Sequence, residues 1–464
     1  MPSRFKVLLV ATNVEEKPFP VHPIGASLVA GALEEAGIEV LGVDLFLEDD
    51  PVRAVAEAIA GFDPDLVAFS IRAVDNVAML DLRYYLPASA EVVRAAREAT
   101  DAPMVIGGGG YSLFPKEILE WFGAEFGIQG EGERLVVRLV RDLVSGEEPA
   151  PGEGLFVLRD GEAVGGPQRP SAISSAWTWP RPSYRQFPLQ EYIRAGGTAS
   201  VQTKRGCPQK CCYCTYPLLE GRVFRLREPP DVRREIESLR ADGVEDFYFV
   251  DNTFNLPGAH AEAVCGELAH LGGRIRWTCL VAPQGLGPRL AAAMVEAGCR
   301  SAEVGSEAAS DVTLRAMGKG HDALAVVRTD RLLREAGITP AHFFIFGGPE
   351  ETWETIERSL ELMDGLGGVM VGTIGMRVYP GTPLQERARR ESPGVAWESL
   401  VEPAFYVSPA TEPARLFERL AAFAASHPRF LLLGSSLNVN ETALRMLRRK
   451  GKRGPLWEFY SMAR

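Results

Sequence analysis

The chain has 464 residues, 46% of them hydrophobic and 24% charged, an ordinary balance for a globular protein large enough for two or three domains. Its formal net charge of −11 argues against a surface built to neutralise nucleic-acid phosphates. Seven cysteines, an odd number, without an export segment point to a reducing cytoplasm, and no apolar run reaches the length of a membrane span.

Residues 1–150 alternate short apolar runs with helical stretches. Runs at 6–11, 38–44, 65–72, 103–107 and 124–129 read as buried strands, and 24–37, 52–60, 88–99, 117–122 and 134–143 read as helices. This predicts an α/β domain with a Rossmann-like, doubly wound parallel sheet. Such sheets bind ligands at the carboxyl edge. The residues expected there are Asn13, Ser70, Arg72, Asp75, Asn76, Gly108, Gly109, Tyr111, Gly130 and Glu131. Four consecutive glycines, 107–110, allow close approach of backbone to a flat or phosphorylated ligand. They do not form the G-x-G-x-x-G fingerprint, which leaves little support for a nicotinamide or flavin. His22, the one histidine of this region, precedes Pro23 and reads as shaping the turn into the first helix.

Residues 151–195 are rich in Pro, Gly and Ser and read as a linker. It carries a small hairpin around Asp160-Gly161 and a Trp177–Ser183 stretch that wraps an interdomain seam. From 196 to 388 a strand-then-helix unit repeats six times, which predicts a partial (β/α)6, TIM-like barrel with its site at the carboxyl rim. A smaller, mostly helical unit is expected over 389–464. Its basic run 448–453 reads as a solvated helix end, or a surface for an anionic substrate or membrane. Its aromatic tail, 456–460, is a candidate lid.

The first barrel strand runs into Cys207, Cys211 and Cys214, spaced C-x3-C-x2-C. Thiolates suit zinc or iron–sulfur clusters, and a zinc site closes with four ligands, whereas no second cysteine pair exists here. Three thiolates on a four-iron cube leave one iron open for chemistry. The alternative is a reduced structural cluster or a zinc knuckle. Cys212 breaks neither reading; as a ligand it would change the spacing to x4 and x1, so it reads as a bystander packed beside the loop.

The stretch Thr203-Lys-Arg-Gly-Cys-Pro-Gln-Lys-Cys-Cys-Tyr-Cys214 resembles the radical SAM superfamily. The strand ends Ile106–Ser112 and Gly127–Glu133, in a sheet fused ahead of such a core, resemble the cobalamin-dependent radical SAM enzymes. The resemblance implies a [4Fe–4S] cluster on Cys207, Cys211 and Cys214, with S-adenosylmethionine (SAM) chelated at the open iron and Tyr213 against the adenine. It further implies SAM contacts from Asp251, Asn255, Glu307, Gly347, Gly348 and Arg377, with Asp251 equally readable as structural. Cobalamin would lie at the edge of the first sheet. The D-x-H-x-x-G motif that supplies a cobalt-ligating histidine is missing, so no protein histidine ligand is expected. Arg72 would lie beneath the corrin, or else pair with a carboxylate such as Asp75.

The resemblance thus implies a methyltransferase acting on a carbon of a small molecule, natural-product or lipid-like, served by an electron donor such as flavodoxin or ferredoxin. Methyl would pass from cobalamin either to a substrate radical or to a nucleophilic carbon. The rivals are a non-methylating rearrangement, cyclisation or oxidation, a tRNA methylthiotransferase, and an iron–sulfur or corrinoid carrier. The methylthiotransferase would need cysteines ahead of Cys207, and there are none.

Overall fold

The computed structural model describes residues 5–168, 179–272, 274–393, 395–397, 399–435, 441–455 and 457–460. Strands β1 (Lys6–Ala11), β2 (Glu39–Asp44), β3 (Leu66–Ser70), β4 (Met104–Gly107) and β5 (Phe126–Ile128) lie parallel in the order β2-β1-β3-β4-β5. Their near-continuous apolar sequence follows from burial on both faces. Val7, Leu9 and Ala11 of β1 pack with α1 (Ile24–Glu35) on one side, while Leu8 and Val10 meet α2 (Pro51–Phe62) and α3 (Leu86–Ala99) on the other. The Asp160-Gly161 hairpin is not free in a linker. Its strands β6 (Leu155–Arg159) and β7 (Glu162–Val164) continue the sheet antiparallel from β5, so the first domain extends past residue 150. Trp177 lies outside the described residues, and Trp179 stacks on Arg205, 4.5 Å from ring centroid to guanidinium carbon.

The second sheet starts with β8 (Ala199–Val201). A small ribbon of β9 (Lys204–Arg205) and β10 (Arg225–Leu226) follows. Then come β11 (Asp246–Phe249), β12 (Arg276–Val281), β13 (Cys299–Glu307), β14 (Thr339–Phe346) and β15 (Val369–Ile374), all parallel and in chain order from β8. Each strand alternates. Phe247, Phe249, Trp277, Cys279, Val281, Ala302 and Val304 form the core under the covering helices. Their neighbours Tyr248, Thr278, Ser301, Glu303 and Glu307 therefore point into the barrel.

The C-terminal unit is mostly helical, and it also lends a strand, β18 (Phe430–Leu432), parallel to β15. Before it, β16 (Met376–Arg377) pairs with β17 (Phe405–Tyr406). The tail does not form a lid over the rim. Trp457 packs with Ala341, Val369, Val371 and Leu431, its ring 5.0 Å from that of Phe343, and Glu458 accepts from Thr278 and Ser301. These residues lie toward the amino ends of their strands, so the tail closes the barrel floor.

The two domains share one core. Met317, Met376, Val378, Leu384 and Tyr406 pack among residues of α2, α3 and the first sheet. Tyr192 donates to the Asp44 carboxylate (3.0 and 3.1 Å), and His22 bonds the Phe187 carbonyl at 2.9 Å. Burial lowers the His22 pKa to about 4, so it is a neutral turn residue, as its place before Pro23 suggested.

Candidate functional site

The cysteine loop is held at both ends and in the middle. Gly206 takes φ +83°, and a Cβ there would lie 2.1 Å from the Val223 carbonyl, so only glycine lets the loop leave β9. The Gly206 amide donates to Glu220 at 2.9 Å, and the Cys207 amide to the Gly221 carbonyl at 3.0 Å. At mid-loop Cys212 donates its amide to the Met317 carbonyl and accepts from the Leu384 amide, each at 2.9 Å. Cys212 is thus the backbone pin of the loop, with its side chain against the shared core. This arrangement frees Cys207, Cys211 and Cys214. Burial pushes all three thiols up, Cys214 to about 12, against the attraction of the Lys319 ammonium. Among the described residues no group of three or more His, Cys, Asp or Glu is gathered tightly enough for a single metal ion. The donor set is three soft thiolates on one loop, the chemistry of iron–sulfur ligation.

Beside the loop, Glu307 ends β13 with φ +62°, a conformation that costs a non-glycine residue about 1–3 kcal/mol. Its carboxylate pairs with Lys319 at 3.2 Å and meets the Tyr213 phenol. Lys319 lies 5.9 Å from the Tyr213 ring centroid. Lys319 was not foreseen. Its signal is a lysine flanked by glycines, Gly318 and Gly320, where a Cβ on Gly318 would lie 2.3 Å from the Lys210 carbonyl of the cysteine loop. Gly347 and Gly348 follow β14, and their amides both donate to the Glu351 carboxylate.

Across the seam, Arg72 follows β3. Its side chain is accessible, yet enclosing protein desolvates it and lowers its pKa. No described residue gives Arg72 a hydrogen bond or an ion pair. The groups acting on it are Tyr216, Tyr192, Tyr85 and Glu15. Tyr216, also unforeseen, is 43% exposed and feels both Arg72 and the cysteines Cys214 and Cys207. It spans the gap between the cluster loop and the first sheet. At the same edge the Asn13 side-chain amide is buried without a partner. Ser70 is half-buried, its carbonyl taken by Thr12.

Several expected ligand contacts are structural instead. Asp75 and Arg377 form a buried pair at 2.8 Å, and Arg377 also donates to the Val378 and Leu400 carbonyls, so both side chains are engaged within the protein. Asp251 is consumed by the Thr203 amide and hydroxyl and by Lys204 at 3.0 Å. Asn255 spends both ends of its amide on Thr253, Ala282 and Gln284. Asn76 closes its own turn through Asp81 and Arg83. Tyr111 is fully buried in the first core. Glu131 holds Arg205 and Arg225 across the domain seam. Gly108 is glycine because a Cβ would lie 2.4 Å from the Ile71 carbonyl, Gly109 sits near the Arg72 carbonyl, and Gly130 abuts Gln168. The glycine run thus seats the short helix α4 (Gly109–Leu113) against the segment carrying Arg72.

The sequence pattern of the B12 binding domain matches residues 11–140, and that of the Radical SAM superfamily matches residues 201–363. The structure of the radical SAM methyltransferase TsrM from Kitasatospora setae, with cobalamin and a [4Fe–4S] cluster bound, superposes with a TM-score of 0.89. It is 28% identical and covers 99% of this chain and 97% of that one. The chain belongs to the cobalamin-dependent radical SAM methyltransferases. A second TsrM structure, with tryptophan substrate and the SAM analogue aza-SAM bound, aligns over 99% of this chain with a TM-score of 0.88. The tryptophan 2-C-methyltransferase of Streptomyces laurentii is 26% identical over 439 residues, 81% of this chain and 73% of that protein. For this cobalamin-dependent methyltransferase the cofactors are therefore cobalamin, a [4Fe–4S] cluster and SAM, and the product is a carbon-methylated small molecule. The residues fit those groups: three loop thiolates for the cluster, and an unpartnered cation with an orphaned amide donor at the edge of the B12-binding sheet. Among the described residues no helix is long and apolar enough to cross a membrane.

Proposed function

We propose that the methyl group passes to a nucleophilic carbon of a small planar acceptor of the tryptophan kind, with Arg72 as a cation beneath the corrin that cannot coordinate cobalt. When bound, cobalamin supplies the methyl group, and the cluster with SAM supplies the means to renew it. Arg72 carries the reading, because it is charged, exposed at the edge of the B12-binding sheet, and has no hydrogen bond or ion pair among the described residues. A fixed positive charge on that face disfavours the more positive metal state, and so favours departure of methyl as a cation equivalent. Asn13 offers a donor to the corrin edge. Cys207, Cys211 and Cys214 hold the cluster, and Tyr213, Glu307 and Lys319 line the place for SAM, where a carboxylate accepts from ribose hydroxyls and an ammonium meets an anion. The kind of acceptor follows the tryptophan-bound relative, which matches along nearly the whole chain. A flavodoxin- or ferredoxin-type donor reduces the cluster in this reading.

The test is Arg72→His. If Arg72 lies under the metal, the Co(II) paramagnetic spectrum of the wild type shows no protein nitrogen, and the histidine variant gains nitrogen splitting. A variant spectrum identical to that of the wild type removes Arg72 from that face.

A further inference from the structure

Tyr248 and Glu303 stand inside the barrel on β11 and β13, with β12 between them, and neither holds a cofactor in the account above. Their strand neighbours Phe247, Phe249, Ala302 and Val304 lie in the outer core, which fixes both side chains toward the lumen. The Tyr248 phenol lies close enough to Glu303 to act on its titration. No described residue gives Glu303 an ion-pair partner, and the nearest charged group acting on it is another carboxylate, Glu458. Burial accordingly raises the Glu303 pKa to about 8. One phenol does not saturate a carboxyl, which has about four acceptor positions.

Tyr248 lies on the side of the barrel that faces the first domain. Tyr248 is partly accessible, its ring lies 5.8 Å from that of Phe19 of the first domain, and its phenol feels that of Tyr216. Tyr216 in turn reaches the cysteine loop and Arg72. The far side of the lumen is apolar, with Phe343 and Val371. A molecule lying along Tyr216 and Tyr248 thus places one end where the cluster loop and the B12-binding sheet face each other, and the other end at Glu303.

We propose that Glu303, oriented by Tyr248, is the specificity element for the methyl acceptor and accepts a hydrogen bond from an N–H group of that molecule. This rests on the function proposed above. An N–H is the complement the site offers, because the Glu303 carboxyl keeps an acceptor oxygen in either protonation state, whereas an anionic acceptor would oppose its ionisation beside Glu458. A site built around a buried acceptor rejects an analogue that lacks the donor.

The test is calorimetric binding to the chain loaded anaerobically with cluster and cobalamin. The probes are tryptophan, its benzofuran analogue lacking the ring N–H, and indole-3-propionate lacking the amine. Wild type should bind one of the two analogues at least about tenfold more weakly than tryptophan, the weaker one showing whether the ring or the amine supplies the N–H. Glu303→Leu should erase that difference, and Glu303→Gln, which keeps an acceptor oxygen, should retain most of it. Unchanged iron content and cobalamin absorbance would show that the variants fold. Wild type that loads both cofactors but binds all three probes alike, or none, overturns this inference and leaves the cofactor assignment standing. A discrimination that survives in Glu303→Leu overturns it equally. Failure of the wild type to load cobalamin overturns the function itself.

Discussion

Removing the Arg377 guanidinium should cost stability before it costs SAM binding. Its side chain is 2% exposed and that of Asp75 is 0% exposed. The guanidinium donates to Asp75 at 2.8 Å and to the Val378 and Leu400 carbonyls at 2.7 Å each, and it stacks 4.8 Å from the Tyr379 ring centroid. Arg377→Met leaves the Asp75 carboxylate buried with one remaining donor, the Val77 amide. Breaking such a pair from one side costs about 3–5 kcal/mol. With a urea slope on the order of 3 kcal/mol per molar, the unfolding midpoint falls by about 1–1.7 M. Urea titration followed by tryptophan fluorescence reads this directly. The double variant Asp75→Asn, Arg377→Met should recover part of the loss, since no unpaired charge remains. An Arg377→Met protein as stable as the wild type but unable to bind SAM would refute this reasoning and restore Arg377 to the SAM site.

Three further outcomes are expected. Cys211→Ala should reconstitute with markedly less iron and lose the cluster absorbance, whereas Cys212→Ala, whose backbone alone pins the loop, should keep both. Glu307→Gln should weaken SAM binding about tenfold or more by equilibrium dialysis, because it removes the charge that holds Lys319 and strengthens hydrogen bonds from ribose hydroxyls. Burial raises the Asp44 pKa to about 6, so the folded chain binds a proton there that the unfolded chain releases near pH 4. Its contribution is full below pH 4 and is lost as pH rises through 6. Asp44→Asn should therefore gain on the wild type between those limits, by up to about 3 kcal/mol, in urea midpoints measured across that range.

The fold was legible because both halves obey strong local rules. Continuous apolar strands such as 6–11 and 104–107 can only be buried on two faces, and glycine-ended helices mark the turns between them. The cysteine loop was legible because its chemistry is written in one continuous stretch. What stayed hidden depends on distant pairing. Arg377 and Asp75 are 302 residues apart, and nothing local shows that each consumes the other. Asp251 reads equally well as a ligand or as the partner of Lys204 until β8 and β11 are placed side by side. The run of glycines at 107–110 advertised close approach, and close approach is what it provides, but to the backbone of 71–73. Lys319 and Tyr216 lacked a motif strong enough to separate them from ordinary surface residues. Only the fold brings the first to Glu307 and the second opposite Arg72.

The central claim is that one seam in this chain holds both an iron–sulfur cluster on three thiolates and a cobalamin with no protein nitrogen on its metal. Anaerobic reconstitution with iron, sulfide and cobalamin, followed by metal and corrinoid analysis of the purified chain, measures it. The account predicts about four irons and close to one cobalamin per chain, with the corrinoid absorbing as a form free of a nitrogen ligand. Iron without corrinoid, or a corrinoid carrying a protein nitrogen, would contradict it.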